Sequence, residues 1–314
     1  MPAKIISIHV GRGGSSVGVE TVARMCLEDR IAPDGTTFDY RRYDATSPSS
    51  VFFSEQSSGK AMPRSLFVDL DPKTFDEIRT GHYRALFKPE NLVSGSGSAK
   101  TNNFAIGKNL GKEIIERVMD SVSKLAEDCD HLQGFIVYNT SGGGTGAGLT
   151  SLVCENLGKM YKKQNVLNFS IDSNYYSPDQ AINHALGLYS MQDDVDVSIP
   201  LGKNAMKKLC QSQLDLQKPT GANLTRLMAR VVSATTASLR FGSSQVNKDL
   251  KEFGTNLVPY PPLKFILSSY GPLVSVKKGL SRVKLDALSI TNSLFTNTRC
   301  VCVCVCVCGW GGSE

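Results

Sequence analysis

Signals for membrane insertion and secretion are missing from this 314-residue sequence. It holds no apolar run near the roughly 18–20 residues that a membrane-spanning helix requires. The segment Met1–Val10 carries one lysine and has neither a long apolar stretch nor a small-residue cleavage site, so it does not match a secretory signal. We therefore expect a cytosolic protein without a membrane partner.

Long basic runs of the kind that bind nucleic acid are also absent. The formal net charge is only +6, and no stretch contains five or more consecutive lysines or arginines. The basic residues are scattered or paired, as at Arg41 and Arg42, which is typical of a solvated surface. We expect no nucleic-acid partner.

Metal-binding spacings are lacking too. The four histidines show no ligand spacing, and five of the nine cysteines alternate with valine between Cys300 and Cys308. Known zinc sites space their cysteines differently, by about two to four residues. The other cysteines stand singly in apolar or helical surroundings and are expected to be mostly buried: Cys26, Cys129, Cys154 and Cys210.

The sequence does contain a twice-repeated order of elements. Its 41% hydrophobic content excludes a wholly disordered chain, and its length suits about two domains. Lys4–Val10 predicts a buried strand, followed by a glycine cluster up to Gly18 and an amphipathic helix. The same order recurs at Gly134–Asn139, the loop Thr140–Gly148 and a second helix. Strand, glycine loop and helix together predict an α/β nucleotide-binding domain.

The strongest chemical motif is the segment Gly142–Gly148, GGGTGAG. Its glycines let the backbone turn sharply and approach a ligand closely. The N–H groups of the loop and of the following helix can converge on one phosphate, and Thr145 can add a hydroxyl. A flexible turn needs far fewer glycines, so phosphate binding is favoured over a simple turn.

Two other glycine segments are weaker signals. Gly11–Gly18 is a second candidate phosphate loop, but Ser16 stands where a dinucleotide-binding fingerprint places glycine. An enzyme that uses a dinucleotide would depend on this loop alone. Gly95–Thr101 nearly matches a P-loop but fails twice, because Ser94 occupies the position of its first glycine and Ala99 that of its last glycine.

Two aspartates follow a predicted strand near these loops. Asp69 and Asp71 could hold Mg²⁺ directly or through water. The plain alternative is that an aspartate at a strand end serves as a turn residue.

Several long segments resemble the tubulin family, and α-tubulin more closely than β-tubulin. These segments are Ile6–Gly11, Pro63–Pro72, Ile78–Leu92, Ile106–Ile115, Thr236–Phe241 and Glu252–Pro261, together with GGGTGAG. The resemblance implies a Rossmann-like GTPase domain over residues 1–220, a core helix over 221–241 and an incomplete α+β intermediate domain over 242–299. Residues 300–314 form a low-complexity tail, interpreted as a translated microsatellite, with a metal-binding tail as the alternative.

The resemblance also implies a site and a partner. Tubulins hold GTP with Mg²⁺ over the glycine loops, and their heterodimers form microtubules, so it implies a β-tubulin partner and a place in the cytoplasmic cytoskeleton. Carried over, the metal ligand is Asp71, and the nucleotide-binding residues are Gly11, Arg12, Gly13, Asn102, Thr140, Gly142, Gly143, Gly144, Thr145 and Gly146. Whether the chain completes GTP hydrolysis is left open.

One catalytic residue follows from the same resemblance. Glu252 stands where α-tubulins carry a glutamate that activates water at the nucleotide of the next β-subunit, which implies a catalytic role in trans. Without that resemblance, a solvated glutamate at a helix start would be favoured.

Several positions depart from the tubulin pattern. Arg12 replaces a glutamine and Asp71 a glutamate, while Gly221 and Thr225 stand where tubulins stack on and read guanine. Changes on the sugar side of the site are Asp179, Asn183 and Lys203. We expect an intact phosphate half, an eroded guanine and ribose half, and weak GTP binding. The alternative function is a non-polymerising, degenerate tubulin remnant or the product of a misassembled gene.

Overall fold

A computed structural model describes residues 4–37, 48–97, 102–172, 177–241, 247–271, 273, 275 and 286–295. The strands are β1 (Lys4–Val10), β2 (Phe53–Glu55), β3 (Ala61–Pro63), β4 (Ser65–Asp69), β5 (Leu92–Ser94), β6 (Leu132–Thr140), β7 (Asn165–Asp172) and β8 (Val197–Gly202). The helices are α1 (Gly11–Glu28), α2 (Asp76–Thr80), α3 (Phe104–Glu127), α4 (Thr150–Met160), α5 (Pro178–Ser190), α6 (Lys203–Ser212), α7 (Gly221–Thr235), α8 (Ala237–Arg240), α9 (Leu250–Leu257) and α10 (Ala287–Leu294).

Six strands form one parallel sheet in the order β5-β4-β1-β6-β7-β8. The chain builds outward from β1 first through β4 and β5, and then on the other side through β6, β7 and β8. The strand order therefore reverses between β1 and β6. In open α/β sheets, ligands bind at this reversal, outside the carboxyl ends of the strands. The predicted Rossmann-like α/β class is confirmed.

Two apolar layers cover the faces of the sheet. Side chains of β1 alternate between them, because successive residues of a strand point to opposite faces. Ile5 joins the layer that includes residues of α1, α6 and α7, whereas Ile6 and Ile8 join the layer of α3 and α4.

The four single cysteines were expected to be mostly buried, and three of them are: Cys26, Cys154 and Cys210. Cys129 is only half-buried.

The predicted loop Gly11–Gly18 is instead the start of α1, which begins directly after β1. Gly11 has φ +72°, a left-handed conformation that glycine adopts without a steric penalty. Gly14 is required by packing, since a Cβ there would lie 2.3 Å from the carbonyl oxygen of Tyr138. The glycines that suggested a loop thus let α1 approach β6 closely.

Two other segments differ in part from the expected local structure. Residues 33–59 are rich in Ser, Thr, Asp and Gly, a composition that predicts a long exposed loop. The described part of this segment instead contains the buried residues Val51 and Phe52 and the strand β2, which pairs with β3. Within the range 221–241 of the predicted core helix, α7 and α8 are both helical and are separated by a single residue, Thr236. The Thr236 hydroxyl donates to the carbonyl oxygens of Val232 and Ser233, which caps α7.

The described residues after α8 contain little strand. The β-rich runs of residues 256–276, which are broken by prolines, predict β-structure. The β-structure of their described part consists only of isolated bridge residues, Ser269 and Phe265, of which Phe265 pairs in parallel with Ser198 of β8. The predicted tail 300–314 and about a third of the predicted intermediate domain lie outside the described residues. No helix in the described ranges is long and apolar enough to cross a membrane.

Candidate functional site

The two predicted glycine segments meet at the reversal of strand order. An ideal Cβ on Gly11 would lie 3.7 Å from the backbone nitrogen and Cα of Gly146. One on Gly13 would lie 2.1 Å from Oγ1 of Thr140, closer than real Cβ atoms approach. The structure therefore brings together four of the predicted site residues at the carboxyl ends of β1 and β6.

Within the loop after β6, the glycines have different tasks. A Cβ on Gly146 would lie 2.2 Å from the carbonyl oxygen of Thr140, so close backbone packing requires glycine there. A Cβ on Gly143 would have one neighbour within 4 Å, the Gly146 nitrogen at 3.9 Å. The loop continues into a helical turn, Thr145–Leu149, in which the Ala147 N–H donates to the carbonyl oxygen of Gly143 at 2.8 Å. Gly143 therefore borders an open space where an anion is favoured.

A buried hydroxyl at this place, that of Thr140, supports a phosphate. Oγ1 of Thr140 and Oγ of Ser15 are buried and have no hydrogen-bond partner in the described part of the chain. Buried polar atoms are nearly always paired with protein, water or ligand. The Thr140 hydroxyl lies against Gly13 at the contact between α1 and the loop, so the residues present fit a phosphate group.

Two asparagines hold the loop in place. The buried Asn139 donates from Nδ2 to the carbonyl oxygen of Gly146 at 3.0 Å. Asn183 of α5 donates from Nδ2 to the carbonyl oxygens of Asn102 at 2.6 Å and Gly142 at 3.3 Å, and its Oδ1 accepts the N–H of Phe104 at 2.9 Å. The tubulin resemblance implies a place for Asn183 beside the ribose, but its amide is bonded to backbone. It joins α5, the start of α3 and the glycine loop.

A polar cluster lies behind the loop and was mostly missed from the sequence. Ser141 donates to Oδ1 of Asp172 at 3.2 Å, and Nδ1 of His184 lies 3.9 Å from the same oxygen. Burial lowers the pKa of His184 and of Lys203, while the charge of Asp172 opposes both shifts. The cluster joins the ends of β6 and β7 with α5 and α6. Two members had a signal in the sequence, since Ser141 lies in the predicted loop and the resemblance places Lys203 on the sugar side. Asp172 and His184 had none.

The two predicted carboxylates lie at the same edge of the sheet. Asp69 is the last residue of β4, and burial raises its pKa. Asp71 is exposed and accepts the N–H of Lys73 at 3.0 Å, so it caps the turn Pro72–Phe75. The described ranges contain no group of three or more His, Cys, Asp or Glu side chains that could hold a metal. Two carboxylates suit Mg²⁺ when phosphate oxygens complete its coordination.

The two residues that the resemblance places beside guanine, Gly221 and Thr225, both lie at the start of α7. Gly221 begins α7 with no atom within 4 Å of its ideal Cβ position. The Thr225 hydroxyl donates to the carbonyl oxygen of Gly221 at 3.0 Å, inside the helix. The predicted loss of guanine contacts stays a prediction.

Glu252 lies away from the glycine loops. It is in the first turn of α9, where Oε2 accepts the N–H of Lys248 at 2.8 Å. This helix packs at the amino end of β6, since Gln133 donates to Oδ1 of Asp249 at 2.6 Å and a Cβ on Gly134 would touch Leu250. The loop leaves the other end of β6, about 20 Å away at a rise of about 3.3 Å per residue. The structure does not bring Glu252 to the site of its own chain.

A parallel open sheet with a glycine-rich loop at its reversal point defines a nucleotide-binding α/β domain. Residues 4–211 match the model of the Tubulin/FtsZ family, GTPase domain. The match spans more than half of the chain, so the chain belongs to this family of GTP-binding cytoskeletal proteins. The predicted resemblance is confirmed at the level of the family.

Proposed function

We propose that the chain is an α-tubulin-like, GTP-binding subunit of microtubules that pairs with β-tubulin in the cytoplasmic cytoskeleton. Its own GTP lies over the glycine loops at the dimer contact. Glu252 acts in trans on the nucleotide of the partner. The family match supports the GTP-binding part of this proposal.

The separation between Glu252 and the glycine loops carries the proposal. The two lie at opposite ends of β6, so one chain cannot combine them in one active site. A head-to-tail contact places the α9 end of one subunit against the loop end of the next. A carboxylate there can orient and polarise the water that attacks a γ-phosphate. Hydrolysis then requires assembly.

In this arrangement the residues of the chain have distinct tasks. The backbone around Gly142–Gly146 binds the phosphates, with the Thr140 hydroxyl as an additional donor. Asp69 and Asp71 are the groups that would hold Mg²⁺, which neutralises phosphate charge when bound. Asn139 and Asn183 keep the loop in its conformation.

The test is a reconstitution with purified β-tubulin and GTP. Polymer is collected by sedimentation, and phosphate release is followed for wild type, Glu252→Ala and the exposed control Glu127→Ala. We expect all three to enter the polymer, with phosphate release reduced about 100-fold only for Glu252→Ala. A wild-type chain that stays in the supernatant and leaves phosphate release unchanged contradicts the proposal.

A second candidate is a non-polymerising family member with weak nucleotide binding. The bonded amide of Asn183 favours it, because this amide is held by backbone groups and is not free to contact a nucleoside. Calorimetric titration with GTP, GDP and ATP distinguishes the two candidates. Tight binding that is selective for guanine would exclude this second candidate.

A further inference from the structure

Arg12 lies where the two glycine segments, Gly11–Gly18 and Gly142–Gly148, come together. It lies in the first turn of α1, between Gly11, which borders Gly146, and Gly13, which borders Thr140. Its neighbours in sequence are thus packed against the phosphate loop. The Arg12 side chain itself is 76% exposed, so no packing has to be broken when it changes rotamer.

In the structure this arginine contacts an acid from a different element. Nη2 of Arg12 lies 3.1 Å from Oε1 of Glu77, which is in the first turn of α2 and is 66% exposed. Helix α2 follows the turn that Asp71 caps. The ion pair therefore connects the start of α1 with the segment that carries Asp71. Exposed ion pairs of this kind are weak and exchange partners readily.

A bound polyphosphate is a stronger partner for Arg12 than Glu77 is. It carries several negative charges, and its oxygens can accept two parallel N–H bonds from one guanidinium. A carboxylate on a flexible, exposed side chain offers a single charge that solvent screens. The Glu77 carboxylate and a bound polyphosphate therefore compete for the guanidinium of Arg12.

We infer that Arg12 and Glu77 form an exchange latch: Glu77 holds Arg12 in the free protein, and Arg12 transfers to the phosphates when a nucleotide binds. This inference rests on the nucleotide binding proposed above and assigns Glu77 a regulatory role at that site. Glu77 is then a built-in competitor that lowers the affinity for nucleotide. Release of Glu77 also frees α2 from α1 on binding.

The test is a mutant cycle read by calorimetric titration with GTP and, separately, inorganic triphosphate. We expect Glu77→Gln to bind both ligands about two- to fivefold more tightly than wild type, since the competing pair is lost. Arg12→Gln should bind roughly tenfold more weakly. In the Arg12→Gln background, Glu77→Gln should bring no further gain.

Asp76→Asn is the matched control. Asp76 precedes Glu77 on α2 and lies near Arg79 rather than Arg12. Its replacement by asparagine changes the net charge by the same amount as Glu77→Gln. An equal gain in affinity from Asp76→Asn, or a gain from Glu77→Gln that persists without Arg12, overturns the latch while leaving nucleotide binding intact. Failure of every variant to bind either ligand overturns the proposed function and the latch together.

Discussion

The side-chain amide of Asn183 in α5 donates a 2.6 Å hydrogen bond to the carbonyl oxygen of Asn102, just before α3 begins. The same amide also bonds Gly142 and Phe104. One buried side chain thus connects three segments that surround the phosphate loop, and the segments lie far apart in sequence.

Replacing Asn183 with alanine should therefore loosen the loop. The change leaves the Phe104 N–H and two carbonyl oxygens without their partner, and we expect the free energy of unfolding to fall by about 2–3 kcal/mol. Urea unfolding measures this loss, and titration with GTP should show weaker binding. Asn109→Ala, an exposed asparagine of α3, is the control and should change neither quantity. Unchanged stability and binding in Asn183→Ala would contradict the role assigned to this amide.

The sequence predicts the strand and the glycine segments of the site better than it predicts the contacts that hold them in place. Lys4–Val10 was predicted as a strand and is β1, because a β-branched apolar run between polar segments has few other solutions. Gly11–Gly18 was predicted as a loop, since glycine is a poor helix former. Contact with β6 overrides that propensity, and the contact depends on the folded arrangement. The bonds of Asn183 also join residues distant in sequence, so no local pattern indicates them.

Alanine substitutions at Gly143 and Gly146 should have different effects, the first on nucleotide binding and the second on folding. Gly143→Ala adds a methyl group to open space, so we expect stability within about 0.5 kcal/mol of wild type and GTP binding weakened about tenfold. Gly146→Ala places a methyl group 2.2 Å from a backbone oxygen and should destabilise the whole domain. Urea unfolding and calorimetry on the same samples test this. Full nucleotide affinity in a folded Gly143→Ala variant would show that the phosphate lies elsewhere.

Gly18 of α1 should be intolerant of any side chain. A Cβ there would lie 2.2 Å from Nδ1 of His9, a fully buried ring for which burial lowers the pKa to about 3. The ring cannot move aside, because it is stacked between Phe67 and Tyr138 at centroid distances of 4.5 and 4.6 Å. We expect Gly18→Ala to cost about 3 kcal/mol or to abolish folding.

Gly254→Ala is the opposite case and the matched control for Gly18→Ala. Gly254 lies inside α9 with nothing within 4 Å of its ideal Cβ position, so alanine should stabilise the chain by about 0.5–1 kcal/mol. Both variants are compared with wild type by thermal unfolding. Equal melting temperatures for the two variants would refute the packing argument.

Neighbouring acids at the end of α1 should respond to pH with opposite signs. Glu28 accepts bonds from Ser233 at 2.6 Å and from the buried Arg240 at 2.7 Å. Burial alone would raise the pKa of Glu28, but these bonds and the charge of Arg240 outweigh it and lower the pKa. Burial raises the pKa of Asp29 to about 6, and the charge of Arg240 only partly opposes the shift.

The sign of each effect follows from proton binding. A lowered pKa means that Glu28 contributes stability that is lost as the pH falls through its folded-state pKa. A raised pKa means that the folded state holds a proton on Asp29 more tightly, so stability is lost as the pH rises from about 4 to about 6. Glu28→Gln should therefore be about 3 kcal/mol less stable near neutral pH, because Arg240 loses its partner. Asp29→Asn should be more stable than wild type above about pH 6, by up to about 3 kcal/mol, with the difference vanishing near pH 4. Urea unfolding of both variants between pH 4 and neutral pH tests these expectations. Destabilisation of Asp29→Asn at neutral pH, as expected for Glu28→Gln, would show that Asp29 is a second charged partner of Arg240. The direction assigned to the pKa of Asp29 would then be wrong.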